Sequence, residues 1–142
     1  MKRIICILYI VAVFLASCKI TTKEMETNHY TEGIYQLTFH TKLISNDWVG
    51  QDWSFTYVCE NQEIKSGFRY PLPFELFMFL PIDVTVREHD KIDDVGTGRI
   101  KVPLVDGCTG KTRITVTESS GRFKGNTAVW EITCTAKLVD MR

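Results

Sequence analysis

The chain is short of several things, and each shortage narrows what it can be. No window carries apolar residues at i, i+3, i+4 and i+7 for long enough to build an amphipathic helix. The longest apolar run, Ile4 to Ala16, spans 13 residues, against the roughly 20 that a membrane-spanning helix needs. Neither sign of charge is in excess, with 17 basic and 17 acidic side chains. That balance argues against nucleic acid and against a polybasic patch for anionic lipid. Histidine is scarce, with only His29, His40 and His89. There is no Gly-x-Ser-x-Gly elbow, no His-Glu-x-x-His helix and no phosphate-cradling glycine loop, since Gly96-x-Gly98 opens a strand and not a helix. Read this way, the chain is not an enzyme. Cysteines number five, but no CxxC occurs, and the spacing of Cys59, Cys108 and Cys134 matches no zinc motif. Internal repeats and low-complexity tracts are absent.

What is present begins at the amino terminus. Basic Lys2-Arg3, the short apolar run and small residues before a cysteine are the parts of a secretory signal peptide. The sequence Leu15-Ala16-Ser17-Cys18 resembles the lipobox of bacterial lipoproteins. That resemblance implies cleavage before Cys18 and attachment of a lipid to its thiol, with palmitate among the expected acyl chains. Acyl chains contribute about 0.8 kcal/mol per buried methylene, so several hold a domain firmly on a bilayer. The expected organisation is a signal peptide over 1–17, lipidated Cys18 with a polar tether over 18–32, and one domain over 33–142. The expected location is a bacterial membrane, with the lipid-anchored domain facing the periplasm or the cell surface. The signal takes Lys2 and Arg3 with it, leaving 15 basic against 17 acidic residues. It also takes Cys6. Cys59, Cys108 and Cys134 then sit in an oxidising compartment, where at most one internal disulfide forms, with its pairing open.

From Gly33 onward apolar residues alternate with polar ones, the period of a half-buried strand. Tyr35, Leu37, Phe39 and Leu43 share one face. Trp53, Phe55 and Tyr57 share another, after a turn at Ser45-Asn46-Asp47. Glu63 to Tyr70 reads as a weaker strand, broken by Pro71-Leu72-Pro73. Phe74 to Leu80 reads as a short buried strand, interrupted by Pro81. Further alternation runs through Ile82–Val86, Ile100–Leu104, Ile114–Val116 and Ala128–Leu138. The spacing predicts about eight short antiparallel strands and an all-β sandwich, because a parallel sheet would need crossover helices.

Two loops hold the chemistry. Glu88-His89-Asp90-Lys91-Ile92-Asp93-Asp94 places four carboxylates in seven residues, and Asp47 to Asp52 holds two more. Crowded carboxylates repel unless a cation joins them, and Ca²⁺ takes six to eight oxygens from such loops. Asp47 followed by Asp52 before an aromatic strand, and Glu88-His89-Asp90 followed by Asp94-Val95-Gly96, resemble the calcium loops of the C2 domain family. The strand count and Arg99-Ile100-Lys101-Val102-Pro103-Leu104 agree with it over roughly 33–138. The resemblance implies a C2-like sandwich, with Asp47, Asp52, Glu88, Asp90 and Asp94 as calcium ligands and Asp93 as a substitute for Asp94. The chain departs from that family at Glu88, at Trp53-Ser54 after Asp52, and in the short step from Asp90 to Asp94. In that topology Trp48, Tyr70 and Leu72 form a rim at the acidic end. The expected function is a non-catalytic binding module at the envelope, contacting a protein, glycan or lipid there. The alternative is a structural or inhibitory lipoprotein that docks another envelope protein through a sheet face or edge, without metal.

Overall fold

A computed structural model describes residues 30–142. The signal peptide, Cys18 and nearly all of the tether lie outside them. Eight strands follow one another: β1 (Glu32–Asn46), β2 (Trp53–Cys59), β3 (Gln62–Ile64), β4 (Arg69–Pro73), β5 (Phe79–Glu88), β6 (Asp94–Pro103), β7 (Thr109–Thr117) and β8 (Thr127–Met141). They form two antiparallel sheets, ordered β4-β1-β8-β7 and β3-β2-β5-β6. This is a β-sandwich, the architecture expected from the alternation. No helix among the described residues is long and apolar enough to cross a membrane.

The core is what the alternation selects. Leu80, Ile82, Val84 and Val86 of β5 face inward, with Ile100 and Val102 of β6 beside them. Ile114 and Val116 of β7 and Ala128, Ile132, Cys134 and Ala136 of β8 close from the other sheet. Aromatic rings fill the wider side. Phe39 stacks on Tyr57 at 3.9 Å between centroids, and Trp130 meets Phe55 and Trp53 edge-on at 4.9 and 5.4 Å. Such pairs contribute about 0.5–1.5 kcal/mol each beyond burial. Among the described residues Cys59, Cys108 and Cys134 form no disulfide, and burial, with Cys59 nearby, pushes the Cys134 thiol up to about 12.

The prolines correct the strand reading. Pro71 and Pro73 lie within β4 rather than ending a strand, because β4 is an edge strand that can spare an N–H. Pro81 lies within β5, where β6 pairs on one side but β2 has already ended, since the last β2 partner is Asp83. Phe74 to Met78 is a loop, and Phe74, Leu76 and Phe77 are exposed. Of the predicted strand over 74–80, only Phe79 and Leu80 are extended, as the first residues of β5. The predicted strand over 63–70 splits into β3 and the start of β4, which restores the count to eight.

At one side the two sheets approach very closely. A Cβ added at Gly96 would lie 2.6 Å from the Thr115 carbonyl oxygen and 2.8 Å from an Ile114 methyl. Edge strands β6 and β7 therefore cover one another through bare backbone. Gly96→Ala is expected to destabilise the domain by about 1–3 kcal/mol, the usual range for overpacking. Denaturant unfolding checks this, with a lower midpoint at unchanged slope expected.

Candidate functional site

Strand parity brings the acidic residues together. Glu88 continues the inward stripe Ile82, Val84, Val86 of β5. Asp94 opens the inward stripe of β6 that runs on through Gly96, Gly98 and Ile100. Glu118 follows Ile114 and Val116 just past β7. Each carboxylate occupies the position where another apolar side chain would extend the core. They retain 3%, 2% and 7% of their surface, respectively. Asp94 Oδ1 accepts the Ser119 amide at 2.9 Å, but Asp94 Oδ2 and Glu88 Oε2 are buried without a hydrogen-bond partner. A buried unpaired carboxylate is expensive, so the group shifts its titration or gains a counter-charge.

Titration bears the mark of this crowding. Burial pushes the Glu88 carboxyl above its ordinary range, and the charges of Asp90, Asp94 and Glu118 push it further, against the Asp52 backbone amide. Burial likewise raises Glu118, followed by the charge of Asp94, with the Ser120 backbone opposing.

The three strand ends share their end of the sandwich with the loops around them. Asn46 shapes the first: its Oδ1 accepts the Val49 amide at 2.9 Å, and its Nδ2 donates to the Gly50 carbonyl at 2.7 Å. That clamp buries Val49 and turns Trp48 outward, 73% exposed and in the left-handed region at φ 59°. Gly50, at φ 133°, lies flat against the Glu88 carboxylate, where any Cβ would collide with it. Trp48 stacks with Phe123 of the β7–β8 loop at 6.0 Å, and the Arg122 guanidinium lies 5.7 Å from the Phe123 ring. Between these rings and the acids is a cleft of about 500 Å³, lined among others by Trp48, Gln51, Glu88, Asp90, Glu118 and Phe123.

Of the expected ligand set, Glu88 and Asp90 line the cleft, and Asp94 is buried close enough for its charge to act on Glu88 and Glu118. Asp90 is exposed and uses Oδ1 to accept the Ile92 amide at 2.7 Å. Asp47 and Asp52 do not line the cleft, and both are exposed. Asp52 contributes its backbone instead, its carbonyl accepting the His89 amide at 2.8 Å. Asp93 turns away to Arg87 at 2.9 Å, which holds its carboxyl below the ordinary range. Among the described residues no three His, Cys, Asp or Glu side chains are grouped to hold a metal ion as they stand. Tyr70 and Leu72 do not join the rim. β4 pairs with the start of β1, Leu72 is buried, and the Tyr70 hydroxyl donates to Glu60 at 2.9 Å. The cause is the three-residue β3, which turns the chain across to β4 before it climbs to the acidic end. Glu118 and Phe123 lie outside the sequence reading, although the alternation Ile114, Val116, Glu118 carries the signal for the first.

A second constellation arises where β2 meets β5. Ser54 Oγ lies 2.7 Å from His89 Nε2, and His89 Nδ1 lies 3.6 Å from Asp93 Oδ1. The order resembles a nucleophile, base and acid, but its geometry does not follow. The His–Asp distance exceeds a hydrogen bond, Asp93 is taken by Arg87, and the set is partly exposed on the outer face of a regular strand.

Both glutamates have folded-state values above their unfolded ones. Each therefore contributes stability that is full below the unfolded value and lost as pH rises through the folded one. With chelator present, lowering pH from 7 toward the ordinary carboxylate range should raise the melting temperature, and Glu88→Gln with Glu118→Gln should flatten that rise. Below that range Asp83 and Asp93, held low by arginines, act in the opposite sense. Melting curves across this range decide the matter.

No family model matches the chain, and no curated protein shows significant sequence similarity to it.

Proposed function

We propose that the chain is a membrane-anchored envelope lipoprotein whose β-sandwich is a non-catalytic binding module. Its binding end is the cleft between the β1–β2, β5–β6 and β7–β8 loops, and Ca²⁺ organises those loops. The observation that carries this reading is the buried carboxylate trio with two partnerless oxygens. Hard oxygen donors of this kind suit Ca²⁺ in preference to softer metals. Glu88, Asp90, Asp94 and Glu118 would hold the ion, which would supply the missing positive charge and draw the three loops together. The set differs from the C2-like one in taking Glu118 from the β7–β8 loop in place of Asp47 and Asp52. The exposed Trp48 and Phe123 rings beside it give a partner apolar area with polar groups at hand.

Docking through a sheet edge has less support. The long edges β6 and β7 cover one another, which leaves three-residue β3 and proline-bearing β4.

Thermal unfolding of the mature chain from Cys18, in Ca²⁺ and then in chelator, tests the metal. A ligand at a hundred times its Kd adds roughly 2.7 kcal/mol, several degrees in a domain of this size. The expected result is a rise that Asp94→Asn and Glu118→Gln abolish and Asp47→Asn retains. Equal melting in both buffers overturns the calcium part. Intact mass of the membrane-fraction protein tests the anchor, and an unacylated Cys18 overturns it.

A further inference from the structure

The end of the sandwich opposite the acidic cleft carries a group of exposed apolar side chains, interrupted by Glu75 and bordered by Asp140 and Arg142. Phe74, Leu76 and Phe77 lie in the β4–β5 loop, with Phe79 directly after, and all four are exposed; Phe77 retains 65% of its surface. This loop crosses from one sheet to the other, with Phe77 and Phe79 packed edge-on at 5.3 Å. Val139 and Met141, at the end of β8, are exposed at the same end. Soluble domains scatter exposed apolar residues singly, and a contiguous group of aromatic and aliphatic side chains marks a contact surface.

The place where the described chain begins says what that surface meets. The Phe74 amide donates to the Thr31 carbonyl at 3.2 Å, and the Thr31 amide in turn donates to the Arg142 carbonyl at 2.6 Å. The tether therefore enters the domain at the apolar loop itself. Eleven residues separate Cys18 from Tyr30. Fully extended, the twelve Cα–Cα steps from Cys18 to Tyr30 span about 40–43 Å. β1 alone, 15 residues rising from this end to the acidic one, is roughly 45 Å long. An acylated Cys18 can hold the apolar end against the bilayer with slack to spare. Laying the acidic end on the same membrane would need the tether near full stretch along the whole length of the domain, at a large cost in chain entropy.

We propose that the β4–β5 loop is an interfacial membrane contact: Phe74, Leu76, Phe77 and Phe79 lie in the headgroup region of the bilayer that holds the anchor. This inference rests on the lipoprotein reading of Cys18. An apolar contact beside the lipid anchor adds to its hold and fixes the orientation of the domain, which a flexible tether alone leaves free. The acidic cleft then points away from the membrane, and its partner is a protein or glycan rather than lipid of the same leaflet.

The test uses the mature acylated chain in phosphatidylethanolamine–phosphatidylglycerol vesicles, with and without brominated acyl chains. Wild-type Trp48, Trp53 and Trp130 all lie in the acidic half of the sandwich, and the variant Trp48→Phe/Phe77→Trp adds a loop indole over the shared Trp53 and Trp130 background, so the difference between the two proteins reads the loop. The expected result is blue-shifted emission that brominated lipid quenches in the variant, with no added quenching in the wild type. Acylated, vesicle-bound variant whose loop indole emission ignores bromine overturns the inference and leaves the anchor reading intact. If Cys18 proves unacylated, the anchor reading fails by itself. The loop is then judged by vesicle partition of the same chain, which Leu76→Ser/Phe77→Ser should weaken about tenfold or more. No partition overturns it. A dimer of the Cys18→Ser chain in solution that Leu76→Ser/Phe77→Ser dissolves also overturns it, because the patch would then be a self-contact.

Discussion

Everything at the acidic end depends on the packing of two sheets through every second side chain. A strand committed to that packing cannot change parity at its last residue without a bulge. β5 and β7 hold strict alternation up to Val86 and Val116, so the next inward positions are dictated, and the chain fills them with Glu88 and Glu118. β6 begins the same way with Asp94. Three carboxylates are therefore buried by the same geometry that buries the valines below them. The hydrophobic core provides the energy to hold them there. The molecule retains ionisable groups in a place where apolar side chains would have made a more stable sandwich.

Packing through alternate side chains also decides which parts of the fold are legible in the sequence. Where one face of a strand packs and the other meets water, alternation reports it directly, as along Ala128 to Leu138 and Ile82 to Val86. Alternation also carries Trp53, Phe55 and Tyr57 to the right face. It fails between Glu63 and Leu80, for two separate reasons. Proline reads as punctuation, but Pro71 and Pro73 lie on an edge and Pro81 sits where β5 lacks one neighbour, so none of them removes a needed hydrogen bond. The run Phe74–Met78 reads as buried because it is apolar, but apolar composition without period says nothing about which way side chains face.

The gathering of acids at one end is only half legible in the sequence. Density of acids in one loop draws attention to Glu88, Asp90 and Asp94, and these do converge. The same density misleads at Asp47, Asp52 and Asp93: the first two stay exposed outside the cleft, and the third serves an arginine. What separates the two groups is parity and not count. Glu118 is a single acid in an otherwise ordinary loop, and only its step from Ile114 and Val116 distinguishes it. The placement of Tyr70 and Leu72 depends on how far β3 climbs, and strand length before a crossover is not written in the local sequence.

The polarity of the molecule follows from the same topology. The ends of β1, β5 and β7 and the starts of β2, β6 and β8 gather at one pole with the acids between them. The described chain ends and the β4–β5 crossover gather at the other, because β1 and β8 are long, antiparallel and paired from Gly33 with Met141 to Asn46 with Ala128. A tether attached at Thr31 can pull only on the second pole. Exposed Phe74, Leu76, Phe77 and Phe79 lie at the tether pole together with Glu75, Asp140 and Arg142, and the buried carboxylates lie at the other. Water-exposed phenylalanines are stabilised wherever a lipid surface is at hand, whereas buried carboxylates need solvent ions or a partner and so belong at the far end. On the proposed lipoprotein reading, the point of tether attachment, the strand length and the placement of side chains favour one orientation, in which the fold would carry the cleft about one strand length away from the membrane.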